Sequence, residues 1–591
     1  MKESSRIITL CLLLFSISLI TVTSEIGAKE KLDYYNGKWM NGPSLNVPLD
    51  YTKVIQLKDG KLLAYSPRQL DPISPQVYDP AADRWIMLNK ALNIETAIAL
   101  SDGQALIVDK LSSEYVFYLL SPSDLSLKEL ARRSNKQDDT RLMLDQIAQK
   151  YNVWNQITDI SDILEPTKTS QETMREDMNE LIQGSSHWKY IDAVAENSGE
   201  VIFMVRTQEV DNRKSSYSLT FSNMDEVIKP VRLHLQTKKW DLSEQPIDFK
   251  LVGSSLVQYN ILMNNEILLT QYKAGVIYNI ETKQRRTMAS YPTTSELQHL
   301  EFAGTLPNGD VLFAGGWKNV TKQSSDSYIY SIQNDKWSKT ASLPEPKTSY
   351  ANLTLPNGDI MLIGGLNNDA YEATLKTTVI YKPKERSWVK GPELLHNRDQ
   401  AAAALLSDGR IMTIGGISYI KEDLFTTELM YPAGLQLVQS SEAKKAAKWR
   451  ADNSLLLEKI LSKYKSELLK ESNMKKNTKV FIDSDGSGVL FITKGQYSDS
   501  FFLKYADNKT TEIYLRVYKE GKLSETSSKI TSDYLKAKGI TTNNKITSLL
   551  SSPGKINNNK IESGGHLFTI SRSKAFSGSG EDSIKIIIQK R

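Results

Sequence analysis

LPNGDVLFAGG runs from Leu306 to Gly316, and LPNGDIMLIGG runs from Leu355 to Gly365. A third version, LLSDGRIMTIGG, runs from Leu405 to Gly416. The paired glycines Gly315-Gly316, Gly364-Gly365 and Gly415-Gly416 lie 49 and 51 residues apart. IYSIQNDKW (Ile329 to Trp337) and IYKPKERSW (Ile380 to Trp388) complete the period, with Tyr330 and Tyr381 each seven residues before a Trp. A period of this length indicates a repeat architecture, in which each unit stacks on its neighbours to bury its core.

Each repeat reads as four short strands. A small or apolar run, such as Ala401 to Leu406, meets an Asn-Gly or Asp-Gly turn, where glycine takes positive φ without a Cβ clash. A second apolar run ends in Gly-Gly. A variable loop follows, then a strand closing on Tyr, a tight turn and a strand holding the Trp. One four-stranded sheet cannot cover both its faces, so the repeats are expected to stack as propeller blades, with Gly-Gly, Tyr and Trp as packing residues.

These residues resemble kelch repeats, the β-propeller type also found in the central domain of galactose-oxidase-like proteins. The match is strongest over 300–432. The resemblance implies a disc of blades with ligands at the mouth of a central channel, and it implies no reaction.

Turn positions extend the pattern backwards. Asp59-Gly60 precedes Tyr78 and Trp85, and Asp102-Gly103 precedes runs near Phe117 and Leu125. Ser198-Gly199 precedes Trp240, and Asn264-Asn265 precedes Ile277-Tyr278. With the three clear repeats this predicts seven blades, six to eight being compatible with the degenerate ones. After Tyr431-Pro432 no Trp strand follows, whereas Trp39 near the amino terminus stands in a Trp strand lacking its three partners. Trp39's strand is therefore expected to complete the last blade and remove an exposed edge.

Residues 1–24 carry Lys2 and Arg6, then an apolar run from Ile7 to Ile20, and read as a secretory signal peptide. A secreted or cell-surface location follows. The only cysteine, Cys11, lies in this segment, so the mature chain has neither disulfides nor thiolate chemistry. The propeller is placed at 25–435, interrupted by a helical insertion at 131–186, where Leu144, Ile147, Ala148 and Tyr151 share one helical face. A helical connector is expected at 436–477 and a β-sandwich at 478–591. Residues 441–591 hold 28 Lys and Arg against 16 Asp and Glu, a net of +12 in a chain whose total is +5. An acidic disc beside a basic module suggests retention at an anionic cell-wall polymer or membrane surface and argues against a nucleic-acid partner.

No metal or cofactor is expected. The five histidines have no metal-ligand spacing, and Asp483 to Gly486 lacks the closing acid of a calcium loop and reads as a hairpin turn. A galactose-oxidase-type copper site resembles a His/Tyr cluster with a Tyr cross-linked to Cys, which a cysteine-free mature chain cannot build. Two function classes remain. The first is a non-catalytic binding protein taking a protein or glycan; the second is a carbohydrate-active enzyme, mutarotase- or hydrolase-like. Absence of a paired acid/base motif favours the first. The loops after Gly-Gly and those entering the inner strands select Arg68, Trp317, Asn319, Lys347, Asn367, Arg398 and Tyr419 as ligand-facing. Lys347 and Arg398 are equivalent, each ten residues before its turn residue, Asn357 or Asp408.

Overall fold

The computed structural model describes residues 32–134, 190–210, 224–247, 258–437 and 525–591 with short gaps, and parts of 440–517. The signal segment, Arg68, Tyr419, the turn at 483–487 and all of the insertion expected at 131–186 except residues 131–134, which belong to the strand Leu127–Ser134, lie outside the described residues.

The chain is mainly β and propeller-like. Among the described residues, seven antiparallel sheets have four strands each, and an eighth has seven. In chain order the four-stranded sheets span 53–87, 94–134, 190–241, 258–287, 302–339, 351–390 and 402–433; we number them 1 to 7. Sheet 7 takes its outermost strand from the other end of the chain. Asp33–Asn41 pairs antiparallel with Thr427–Ala433, Trp39 opposite Met430. The expectation drawn from the orphan Trp39 is met at this point.

Two compact units make up the chain, one of residues 1–56, 60–91 and 341–591, the other of 57–59 and 92–340. In the first, sheet 7 is buried on both faces. Ala402 and Ala404 pack with Leu62, Tyr78 and Trp85 of sheet 1. Ala403 and Leu405 turn the other way, towards Ala351, Met361 and Ile380 of sheet 6. This is the period-2 alternation of a strand with a neighbour on each side. In the second unit Phe117 of sheet 2 packs with Phe203 of sheet 3, Met204 of sheet 3 with Leu269 of sheet 4, and Ile277 of sheet 4 with Phe313 of sheet 5.

The Trp positions have a specific task. Trp85 Nε1 donates to the Pro43 carbonyl, Trp39 to Pro392, Trp337 to Ala289 and Trp388 to Ala341, at 2.9 to 3.0 Å. Each acceptor stands two residues past the end of an outer strand, these ends being Asn41, Lys390, Thr287 and Lys339. The strand exit carries a carbonyl with no sheet partner, and the indole satisfies it while its ring covers the adjoining core. Sheet 4 lacks the Trp. Arg285, which pairs with Tyr278 as the Trp does with Tyr elsewhere, donates to Gln245 and Pro246 at 2.5 and 2.6 Å.

The carboxyl-terminal region corrects the expectation of a sandwich. Its strands form one antiparallel sheet in the order 480–482, 488–491, 500–505, 510–517, 582–590, 566–573 and 559–563. Two helices, Glu525–Ala537 and Asn544–Ser551, cover one face, burying Ile530, Tyr534 and Ile546 against Ile513, Phe568 and Ile586. Asn543 caps the second helix by accepting from Ile546 N at 3.1 Å. The described residues of 441–463 are also helical and add Ile460 to this core. Tyr534 Oη donates to Asn453 Oδ1 at 2.9 Å, so the connector belongs to the module that follows it.

Candidate functional site

The ends of the inner strands and the loops after Gly-Gly share a close junction. All six glycines of the three pairs have positive φ, between 59° and 112°. A Cβ on Gly365 would lie 2.7 Å from the Thr348 carbonyl, and one on Gly416 would lie 2.5 Å from that of Asp399. No side chain fits where the loop entering the inner strand crosses the glycine pair, which is why the pair is needed. The residue after each pair continues the contact, Trp317 bridging to His299, Leu366 to Thr348 and Ile417 to Asp399.

In the first unit three entry residues stand nine positions before their hairpin glycines: Tyr51, Ser349 and Gln400. All three adopt the left-handed region, with φ of 40°, 54° and 53°. They are linked through the backbone, Gln400 N donating to Ser349 O at 2.8 Å and Thr52 N to Gln400 O at 3.0 Å. Each is half-buried. Non-glycine residues hold such a conformation at a cost of about 1–3 kcal/mol each, supplied by the structure around them. Among the described residues no donor meets Gln400 Oε1.

Behind these lie Lys347 and Arg398, both fully buried. Lys347 Nζ donates to the carbonyls of Gly364 and Thr377 at 3.2 and 3.4 Å, and Arg398 Nη1 to those of Gly415 and Thr426 at 2.9 and 3.1 Å. Neither side chain reaches solvent, so the structure places both as clamps on the Gly-Gly junction rather than as ligand-facing groups. Burial pushes the Lys347 ammonium down to about 8, against the opposing pull of Glu345.

Trp317 is half-buried and Asn319 exposed, both in the second unit. Asn367 is buried, its N–H donating to Ala373 O at 2.7 Å. The sequence reading missed a convergence at Arg398. Glu428, fully buried, accepts from Arg398 Nη2 at 2.8 Å and from the N–H groups of Leu395 and His396 at 2.6 and 3.0 Å. His396 Nδ1 lies 3.3 Å from the same carboxylate, and its side chain is 28% exposed. Burial works to raise the Glu428 pKa, but Arg398 and His396 outweigh it and hold the carboxyl below its ordinary value. Position 396 was readable as one of five histidines; its partner 32 residues away was not.

No protein-family model matches the chain, and no curated protein matches it. Among solved structures it is similar to a fungal alcohol oxidase of the AA5 family in complex with copper, at 13% identity and a TM-score of 0.46, over 68% of this chain and 78% of that one. A likeness at this level concerns the galactose-oxidase-like fold alone. The described residues do not fit a copper ion of that kind. Among the described residues no group of three or more His, Cys, Asp or Glu is placed to hold a metal ion, and the sole cysteine is Cys11. The expectation of a non-catalytic binding protein does not agree with this comparison, in which the similar structure is that of an alcohol oxidase.

Proposed function

We propose that the chain is an exported kelch-type protein with seven blades that acts as a carbohydrate-active enzyme, taking a neutral glycan at the propeller mouth without copper. The observation carrying this reading is the left-handed set Tyr51, Ser349 and Gln400. It offers a phenol, a hydroxyl and a carboxamide, groups that both donate and accept and that carry no charge. Sugar hydroxyls have the same dual character. Strained, half-buried polar residues at one end of packed strands are also where pre-organised sites form. The basic carboxyl-terminal module then serves to retain the enzyme at an anionic cell-wall polymer or lipid surface.

The test is a glycan array probed with the full mature chain, followed by NMR of anomer exchange and product analysis on the sugars retained. Tyr51→Phe and Gln400→Leu should each weaken retention about tenfold or more, the loss of one to two good hydrogen bonds. A chain that neither retains nor converts any glycan overturns the reading.

A further inference from the structure

We infer that His396 is the group that moves the proton in this chemistry, held for that task by Glu428. The inference rests on the proposed action on a sugar. The two equivalent clamps, Lys347 and Arg398, differ in the carboxylate beside them. In sheet 6, Lys347 closes the Gly364 junction, and the carboxylate beside it is Glu345, two residues earlier and 30% exposed on its side chain. The position in the strand that corresponds to Glu428 is Val379, since Gly364 N bonds Thr377 O as Gly415 N bonds Thr426 O. A clamp of this kind therefore closes without a buried carboxylate in the strand.

Sheet 7 differs at both places together. Histidine stands at 396, where sheet 6 has Glu345, and glutamate stands at 428, where sheet 6 has Val379. The buried carboxylate then receives two backbone N–H groups, the Arg398 guanidinium and the imidazole. An ionised carboxylate only accepts, so the ring turns an Nδ1 proton towards it, and the neutral form of the ring then leaves the Nε2 lone pair uncovered. The ring is partly exposed and Leu395 beside it is 46% exposed, giving an apolar surface next to a base, which suits the C–H face of a sugar ring. A base oriented by a buried carboxylate is the arrangement general-base catalysis requires.

The step balances without an oxidant. Nε2 takes the proton of the anomeric hydroxyl of a reducing sugar, the released electron pair forms the C1 carbonyl, and the C1–O5 bond breaks with its pair on O5. The imidazolium returns the proton to O5, and reversal closes the ring on either face.

The experiment uses the full mature chain with freshly dissolved α-anomers of glucose, galactose and N-acetylglucosamine, read by NMR anomer exchange, together with 15N-histidine NMR. His396→Ala should lower the exchange rate at least a hundredfold, with partial restoration by added imidazole. The 15N spectrum should show His396 protonated at Nδ1 and bare at Nε2, and Glu428→Gln should collapse that preference. Full activity in His396→Ala overturns the inference while leaving the proposed function standing. Should the wild type exchange none of the three sugars, the proposed function loses its support, and the spectrum decides the rest: an Nε2-protonated His396 overturns the inference by itself.

Discussion

Lys347 and Arg398, 51 residues apart in the chain, end on the same two carbonyls of their respective repeats. Lys347 reaches Gly364 and Thr377; Arg398 reaches Gly415 and Thr426. A glycine pair that turns the backbone leaves the Gly364 and Gly415 carbonyls without sheet partners, and a buried cation supplies the donor while also reaching the Thr377 and Thr426 carbonyls that the glycine N–H groups already bond. Arg398→Met would strand the Gly415 carbonyl and remove the guanidinium that neutralises the buried Glu428, a loss of about 3–5 kcal/mol. Lys347→Met removes donors from carbonyls whose nearest carboxylate is half-exposed, and should cost about 1–3 kcal/mol. Urea unfolding of the two variants tests the order, and equal losses would contradict it.

Lys347 also gives a pH signature. Its folded-state pKa is lowered by burial to about 8, from an ordinary 10.5. Below 8 both folded and unfolded chains hold the proton, and the fold bears the full cost of a buried charge. Between about 8 and 10.5 the unfolded chain binds a proton that the native chain lacks, so this group makes stability rise with pH. Arginine does not titrate in this window. Relative to Lys347→Arg, the wild type should gain roughly 3 kcal/mol over that interval, read from urea midpoints. A constant difference between the two proteins would show that Lys347 is solvated.

The indole bonds to strand exits predict unequal losses. Trp85 is 1% exposed, so Trp85→Ala should cost about 3–5 kcal/mol, and Trp39→Ala, 2% exposed, a similar amount. Arg285 makes the corresponding bonds from an exposed strand, and Arg285→Ala should cost no more than about 1 kcal/mol. Melting temperatures of the three variants provide the check.

Removing residues 25–45 deletes the outermost strand of sheet 7 and bares the edge of Thr427–Ala433. The truncated protein should melt well below the intact one and self-associate, because an unpaired strand is a template for another chain. An unchanged melting temperature would mean that the strand contributes no stability.

Surface retention should depend on salt. Each basic side chain near an anionic surface contributes about 1 kcal/mol at most. The Debye length falls from about 10 Å at 0.1 M to about 3 Å at 1 M. The full chain should therefore sediment with anionic vesicles and purified wall at the lower ionic strength only, and a chain ending at residue 437 at neither. Retention that survives 1 M salt would exclude an electrostatic tether.

Much of the four-stranded architecture was legible because its signals are local. An Asn-Gly turn, a glycine pair and a Tyr–Trp spacing each fix a few residues, and repetition multiplies them. Trp39 was placed by the same logic, a missing piece at one end matching a surplus piece at the other. The carboxyl-terminal module was misread where composition hid periodicity. Ile530, Tyr534 and Leu535, then Ile546, Leu549 and Leu550, follow helical spacing within a stretch rich in Ser, Thr and Asn. Alternation along strands such as Thr510–Val517 showed one apolar face without showing that helices cover it. At the candidate site the symmetry of Lys347 and Arg398 was visible, but spacing alone does not reveal the direction of a side chain. The His396–Glu428 pair depends on strand register, which no local pattern encodes.

The pairing of Asp33–Asn41 with Thr427–Ala433 also governs the order in which this protein can be made. Asp33–Asn41 is synthesised nearly four hundred residues ahead of its partner strand, and closing so long a loop is slow. Until Thr427–Ala433 is available, Trp39 has no Pro392 carbonyl to bond and sheet 7 has no outer edge. Partial chains are therefore held back from their final form, and the last four-stranded sheet acts as a completion check that only a chain reaching Ala433 can pass.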